Sequence, residues 1–372
     1  MQFLRAIRSN WLWLLLLLGV SALGLVNLAS SDYYSGDQFH KSQVIWMLLG
    51  VIVAFLIAAV DLRVLERLSY LVYFAVMALL LATRLFGREV NNSQRWIEIG
   101  NMVIQPSEFM KIGMILALAR WIQRNKKPGK FTLRELIVPT IMIGVPSALV
   151  LLQPDLGTTL MLVIVAACML LFEGIRMRSL LTVLAVVMLV LPLAWQFDVI
   201  HDYQKDRVRL WLNEDQFKLD PEGKKVLDKK LQPEQALWAV GSGKVMGKGI
   251  KGGARSRLKY LPEMHNDFII ATFAEEHGFV GCAGLTLVFF AFAVWMFRVA
   301  RAARERFGAM LAAGVATMIV SGAFVNIGMV IGLLPVVGVT LPLLSYGGSS
   351  VLTTFIGIGM VLNVSVSRGK IS

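Results

Sequence analysis

The stretch LPEMHNDFIIATFAEEHGF (261–279) gathers ionisable groups around an apolar run. Glu263, His265 and Asp267 stand on one side of FIIATFA, and Glu275, Glu276 and His277 on the other. The next residues, VGCAGLTLVFFAFAVWMF, carry no charge. Ionisable groups at membrane depth are costly and mark function by default. A carboxylate in this setting can act as a general base or cap a helix. If the helix begins at His265, Asp267 and Glu276 are nine residues apart and lie on roughly opposite faces. That spacing argues against a paired-carboxylate site on one helix. Asp267 is the candidate reactive carboxylate, with the cap role as its alternative. Glu275 and Glu276 read as structural groups bonded to neighbouring spans or loops.

Three further clusters have chemistry in their spacing. GSGKVMGKGIKGGARSRLKY (241–260) contains six glycines, six Lys/Arg and no acid. Glycines let backbone N–H groups nest around anions, so Lys244, Lys248, Lys251, Arg255, Arg257 and Lys259 suit a phosphate. The same composition suits a solvated loop resting on anionic lipid headgroups. In NNSQRWIEIGNMVIQPSEFMK (91–111), Pro106 sits where a helix would start, and Glu108 and Lys111 fall on neighbouring positions of one face. They form either an ion pair that packs spans together, or a site where Lys111, with Arg95 above it, meets an anionic ligand. QPDLGT (153–158) reads as a tight turn whose Asp155 caps the following helix.

The elements that must hold these groups are membrane spans. Of 372 residues, 56% are hydrophobic and 16% charged, with a mean hydropathy of +0.66. Soluble domains carry nearer a quarter charged residues. Ten apolar runs approach the length that crosses a bilayer: 11–30, 43–60, 69–86, 105–121, 135–152, 157–174, 179–197, 268–297, 307–331 and 350–366. The fold class expected is an all-α polytopic membrane protein, one integral domain over 1–372. Its short loops place 18 Lys/Arg on one side and four on the other, which orients both termini inside. The large outer loop 198–266 carries 14 Lys/Arg and is long enough to escape that rule. Residues 332–349, around LLPVVGVTLPLLSYGGSS (333–350), are broken by Pro335, Gly338, Pro342, Gly347 and Gly348 and read as re-entrant or cavity-lining backbone. Asn326, Ser345, Tyr346, Ser349 and Ser350 either line a groove there or satisfy that backbone.

Several classes are disfavoured. Two cysteines, both in apolar runs, give no disulfide framework or thiolate metal site. The four histidines form no H-E-x-x-H, and no P-loop motif occurs. No metal-ligand cluster can be read, and nothing points to nucleic acid.

The stretches RWIEIGNMVIQPSEFMK, QPDLGTTLM, AVGSGKVMGKGIKGG, YLPEMHNDFIIATFAEEHGFVG and NIGMVIGLLPVVGVTLPLLSYGGSS together resemble the SEDS family of bacterial peptidoglycan polymerases. They run in order along most of the chain. MVIGLLPVVGVTLP and the near absence of long tails lean to its rod-shape branch over its division branch. The resemblance implies ten spans and a glycosyltransferase that polymerises lipid II at the outer face of the bacterial inner membrane during cell elongation. It carries the family's catalytic aspartate onto Asp267, in His265-Asn266-Asp267-Phe268, and its cavity residues onto Arg95, Glu108 and Lys111. It also implies a class B penicillin-binding transpeptidase as partner, beside other elongation-complex membrane proteins and membrane lipids. The chain departs from the pattern at EGKKVLDKKLQPEQALWAV (222–240), which is richer in lysine, and at Asn266, which replaces a commoner Thr. The expected substrate-binding set is Arg95, Glu108, Lys111, Lys248, Lys251, Arg255, Arg257, His265, Ser345 and Ser349. A divalent cation, Mg²⁺ or Mn²⁺, would suit the hard oxygens of a diphosphate and a carboxylate. The alternative is a transporter that flips lipid II, since intramembrane charges and a Pro/Gly-broken segment also mark transporters.

Overall fold

The computed structural model describes residues 2–36, 38–90, 93–99, 102–125, 129–196, 202–212, 224–253 and 265–367. Among these are twelve helices: α1 Gln2–Ser35, α2 Phe39–Ala59, α3 Leu62–Phe86, α4 Pro106–Asn125, α5 Ile137–Leu151, α6 Leu156–Glu173, α7 Met177–Gln196, α8 Asp202–Leu212, α9 Lys224–Ser242, α10 Ile269–Arg301, α11 Arg306–Val330 and α12 Gly348–Ser367. Each of the ten expected spans falls on one of these, from α1 to α7 and from α10 to α12. Seven of the described helices, α1, α2, α3, α6, α10, α11 and α12, are long and apolar enough to cross a membrane. α5 is apolar but has only 15 residues. α4 carries Glu108, Lys111, Arg120 and Arg124.

α4, α11 and α12 form the centre. Most residues of each are buried, including Met110, Met114 and Leu118 of α4, Phe307 and Leu311 of α11, and Phe355 and Val361 of α12. The flanking helices keep apolar residues outward, as Ile45, Leu48, Ile52 and Leu56 do along α2. That row recurs at helical spacing and suits lipid contact. Lipid tails are as apolar as these side chains, so close packing and buried hydrogen bonds must hold the helices together. Asn363 supplies such bonds, donating from Nδ2 to the carbonyls of Ile57 at 2.8 Å and Val60 at 2.5 Å.

Three features differ from the expectation. The chain is not wholly helical. Between α3 and α4, strands β1 Arg88–Val90, β2 Ser93–Ile99 and β3 Met102–Ile104 form an antiparallel sheet in that order, with Ile97 opposite Ile104 and a bulge at Arg88/Glu89. Its Ile and Val residues favour extended backbone. The long segment between α7 and α10, expected on the outer side, contains α8 and α9. The lysine-rich departure from the family pattern falls largely within α9, and its Lys, Leu, Glu, Gln and Ala are good helix formers. The eighth span is not one straight helix, because α10 breaks at Gly278 (φ 65°, ψ −165°). In the segment broken by Pro and Gly, residues 331–347 form neither helix nor strand, and Gly348 and Ser349 already belong to α12.

Candidate functional site

The turn His265–Phe268 enters α10 at the junction of three elements. The helix begins at Ile269 and Phe268 holds its N-cap position. Asp267 therefore stands before the cap, and a helix running from His265 is not what forms. Three successive carbonyls of the turn each accept a bond from elsewhere in the chain. Tyr346 N donates to His265 O at 2.8 Å, Ser345 Oγ to Asn266 O at 2.8 Å, and Asn326 Nδ2 to Asp267 O at 3.0 Å. Asn326 also donates to Val339 O at 2.7 Å. One buried α11 amide thus ties the turn to the broken segment.

The Asp267 carboxylate lies on that segment. A Cβ built at residue 338 would stand 3.3 Å from Asp267 Oδ2. Gly338 has φ +77°, a backbone that favours glycine, and its missing side chain leaves room for the carboxylate. Asp267 itself is half-buried. His265 stacks on Phe39, ring centroids 4.3 Å apart, and Phe39 also meets Tyr346 at 4.7 Å.

The next residues of the same segment border the Lys111 cavity. This narrow cleft, with room for about one water molecule, is lined by Lys111, Thr340, Ser350, Thr353 and Thr354, with Met161, Met318 and Pro342. Thr340 and Ser350 hydroxyls are 2.8 Å apart, and the buried Thr353 Oγ1 has no hydrogen-bond partner among the described residues. Lys111 Nζ is 2.8 Å from Glu108 Oε2, and both side chains are about nine-tenths buried. The pair and the cavity wall are therefore both real features of Lys111. Glu108 lies in the first turn of α4, where a negative charge suits the helix N-terminus.

Arg95 is drawn to the QPDLGT turn. Its Nε donates to Gln153 O at 2.9 Å, and Nη2 donates to Pro154 O. Asp155 is a cap as expected: Oδ1 accepts from Thr158 N at 3.1 Å, and Oδ2 accepts from Thr158 Oγ1 at 2.9 Å, Gln105 Nε2 at 3.0 Å and Ser107 Oγ at 3.3 Å. Ser349 Oγ accepts from Gln105 N at 2.9 Å, linking this cluster to the start of α12. Ser345 Oγ, besides donating to Asn266, accepts from Leu341 N at 2.8 Å. In this arrangement both serines satisfy irregular backbone.

The basic loop is used differently from an open anion nest. Lys248 N and Gly249 N donate to the carbonyls of Glu275 and Glu276, both at 3.0 Å, and Phe279 N and Val280 N donate to Lys244 O and Val245 O. The break at Gly278 interrupts the bonding of α10, and the loop supplies partners for the exposed groups. Gly247 (φ +80°) permits the approach, since a Cβ there would stand 2.1 Å from Glu276 O. Lys248 Nζ pairs with the fully buried Glu275 at 2.8 Å. Glu276 Oε1 accepts from Lys251 N at 2.9 Å and from Ser30 Oγ. Both glutamates bond to loop or span groups as expected. Lys251 Nζ lies 4.6 Å above the Tyr33 ring. Arg255 and Arg257 lie outside the described residues.

Some contributors were not singled out from sequence. Gln43, wholly buried on α2, donates from Nε2 to Ser345 O at 2.9 Å and accepts from Gly347 N at 3.3 Å. A lone amide within an apolar span was its only signal. Arg207 and Trp211 of α8 donate to Val336 O at 2.9 Å and Gly332 O at 3.0 Å, bracing the broken segment. The buried Asp32 meets His40 Nδ1 at 2.6 Å and His40 N at 2.7 Å. Among the described residues no group of three or more His, Cys, Asp or Glu gathers as a metal site would require.

These features define a multi-pass helical membrane protein with a pinned carboxylate turn beside a cleft lined by Lys111 and hydroxyl groups. The chain belongs to the FtsW/RodA/SpoVE family, whose model, described as a cell cycle protein, matches residues 9–370. Peptidoglycan glycosyltransferase MrdB of Escherichia coli K12 is 35% identical over 324 residues, covering 87% of this chain and 85% of that protein. The probable peptidoglycan glycosyltransferase FtsW of Hydrogenovibrio crunogenus is 34% identical over 361 residues, covering 95% and 89%. These two identities do not separate the rod-shape branch from the division branch. A solved chain from a peptidoglycan synthase complex, described for its coordination of polymerization and crosslinking, aligns with a TM-score of 0.79 at 30% identity over 97% of this chain and 98% of that one.

Proposed function

We propose that this chain is a peptidoglycan glycosyltransferase that polymerises lipid II, with its reaction at the outer face of the bacterial inner membrane and its role in cell elongation. The observation that carries the reading is the Asp267 turn, held by three successive carbonyls and set on Gly338 beside the Lys111 cleft. In the step, a sugar 4-hydroxyl attacks the anomeric carbon that bears the diphosphate. A new C–O bond forms, the bond to the diphosphate breaks, and Asp267 takes the hydroxyl proton as general base. A base must be fixed in direction while its carboxylate stays accessible, and the half-buried Asp267 on a tied backbone meets both needs.

The departing diphosphate gathers negative charge and needs cations. Among the described residues Lys111 is the basic side chain lining the cleft, and its bond to Glu108 fixes its direction. Arg95 uses two of its five N–H groups on the QPDLGT turn, so its fork can reach further. Lys248 and Lys251 act first by joining the loop to α10, and any hold on phosphate comes after that. Asp267 supplies a single carboxylate, so a Mg²⁺ or Mn²⁺ ion would be held mainly by the diphosphate's own oxygens. The kinship with MrdB, FtsW and the synthase-complex chain supports the activity, and that complex supports a class B penicillin-binding transpeptidase as partner.

The test is purified chain with lipid II, its products resolved on a gel, beside liposomes carrying labelled lipid II. Glycan ladders without lipid II crossing the bilayer are expected. Crossing without ladders would overturn the reading in favour of a transporter.

A further inference from the structure

We infer that Gln43 is a positioning residue for the Asp267 carboxylate, acting through the backbone of Ser345–Gly347. The inference rests on the glycosyltransferase reading and extends it to a residue that touches neither Asp267 nor the cleft. Gln43 lies on α2, wholly buried, among residues that otherwise face helices or lipid. Its amide uses both polarities on one short stretch. Nε2 donates to Ser345 O at 2.9 Å, and Oε1 accepts from Gly347 N at 3.3 Å. Tyr346 stands between these two contacts, and its own N–H holds His265 O at 2.8 Å. Ser345, whose carbonyl Gln43 holds, uses its hydroxyl to hold Asn266 O at 2.8 Å. Two of the three carbonyl ties on the catalytic turn therefore originate on the stretch that Gln43 grips.

A second contact from the same helix reaches the same turn. Phe39 lies four residues before Gln43 and so shares its face of α2. Its ring stacks on His265 and also meets Tyr346. One face of α2 thus supplies an amide to the backbone and a ring to the turn. Residues 331–347 have no helix or sheet ladder to fix them. Beyond a few turn bonds, such as Ser345 N to Leu341 O at 3.0 Å, side-chain bonds help set their position, and a buried amide that matches one carbonyl and one N–H is well suited to it. Loss of Gln43 would leave Ser345 O and Gly347 N without that partner in a buried setting. The segment would shift to find others, and the His265–Asp267 turn would move with it. Misplacing a catalytic group by about 1 Å costs on the order of 100-fold in rate.

The test compares wild type with Gln43→Met, which keeps length and suits an apolar span, in purified lipid II polymerisation. A roughly 10- to 100-fold fall in kcat per folded molecule is expected, with KM within about twofold and only a modest fall in the melting temperature in detergent. Phe39→Leu should lower kcat in the same direction and provides the readout if Gln43→Met does not fold. Combined with Asp267→Glu, which already displaces the carboxylate, Gln43→Met should cost much less than it does alone. If wild type makes no glycan, the reading beneath this inference falls with it. If wild type polymerises and Gln43→Met keeps its kcat, or loses activity only in step with its folded fraction, the positioning role alone is overturned. Full additivity with Asp267→Glu would also overturn it.

Discussion

The Glu108–Lys111 pair separates a packing contact from a ligand contact. The two side chains share a 2.8 Å bond within α4, and each is about nine-tenths buried. Removing one partner leaves the other charge buried without it, at about 3–5 kcal/mol. Glu108→Gln and Lys111→Met should therefore each lower the melting temperature in detergent. The double variant removes both charges at similar volume, which is commonly neutral or stabilising, so its melting temperature should return toward wild type. Activity should follow a different course. Lys111 lines the cleft with Thr340, Ser350, Thr353 and Thr354. A lost charge-assisted bond to a diphosphate costs about 1.5–3 kcal/mol, or roughly 10- to 150-fold in kcat/KM. Per folded molecule, Glu108→Gln should polymerise lipid II nearly as wild type does, while Lys111→Met and the double variant should both stay low. Polymerisation restored in the double variant would refute the ligand role and leave Lys111 as Glu108's partner only.

The basic loop gives a comparison of two glycines. Gly247 and Gly249 both have positive φ, but a Cβ at 247 would meet Glu276 O at 2.1 Å while 249 faces open space. Gly249→Ala should cost about 1–2 kcal/mol from backbone strain, and Gly247→Ala clearly more, as read by thermal melting in one detergent. Lys248→Ala takes the paired cation from the buried Glu275, so it should lower stability more than Lys251→Ala, and adding Glu275→Gln should recover part of the loss. Equal small effects of both lysines that vanish without anionic lipid would instead support a headgroup contact. Asp155→Ala removes four hydrogen bonds and should lower stability by about 2–4 kcal/mol, with activity falling only as the folded fraction does.

The helices were legible because a bilayer demands long apolar runs: each of the ten runs falls on a helix, and seven of those described are long and apolar enough to cross. The broken segment was legible from its prolines and glycines, and the Asp155 cap from D-L-G-T ahead of an apolar run. The pairing of Glu108 with Lys111 followed from helical spacing. The break at Gly278 was hidden, because glycine is common in membrane helices that do not break. The glycines of 241–253 fit an anion nest and a close backbone approach equally well as composition. Only the position of Glu275 and Glu276 opposite them showed the approach. Asp267 was singled out for its charge, but the supports that fix it come from residues 39, 43, 326, 338, 345 and 346, distant in sequence and brought close only by the packing of α2, α11 and the broken segment.

The most direct test of the central claim is the initial rate of lipid II polymerisation by Asp267→Asn beside wild type, at matched folded protein. Asn keeps the size of the side chain but cannot take up the hydroxyl proton as a base. The account predicts wild-type glycan ladders and no detectable polymerisation by the variant, with unchanged membrane insertion and melting temperature. A variant that polymerises at near wild-type rate would contradict it, and would leave Asp267 as a structural residue of the turn.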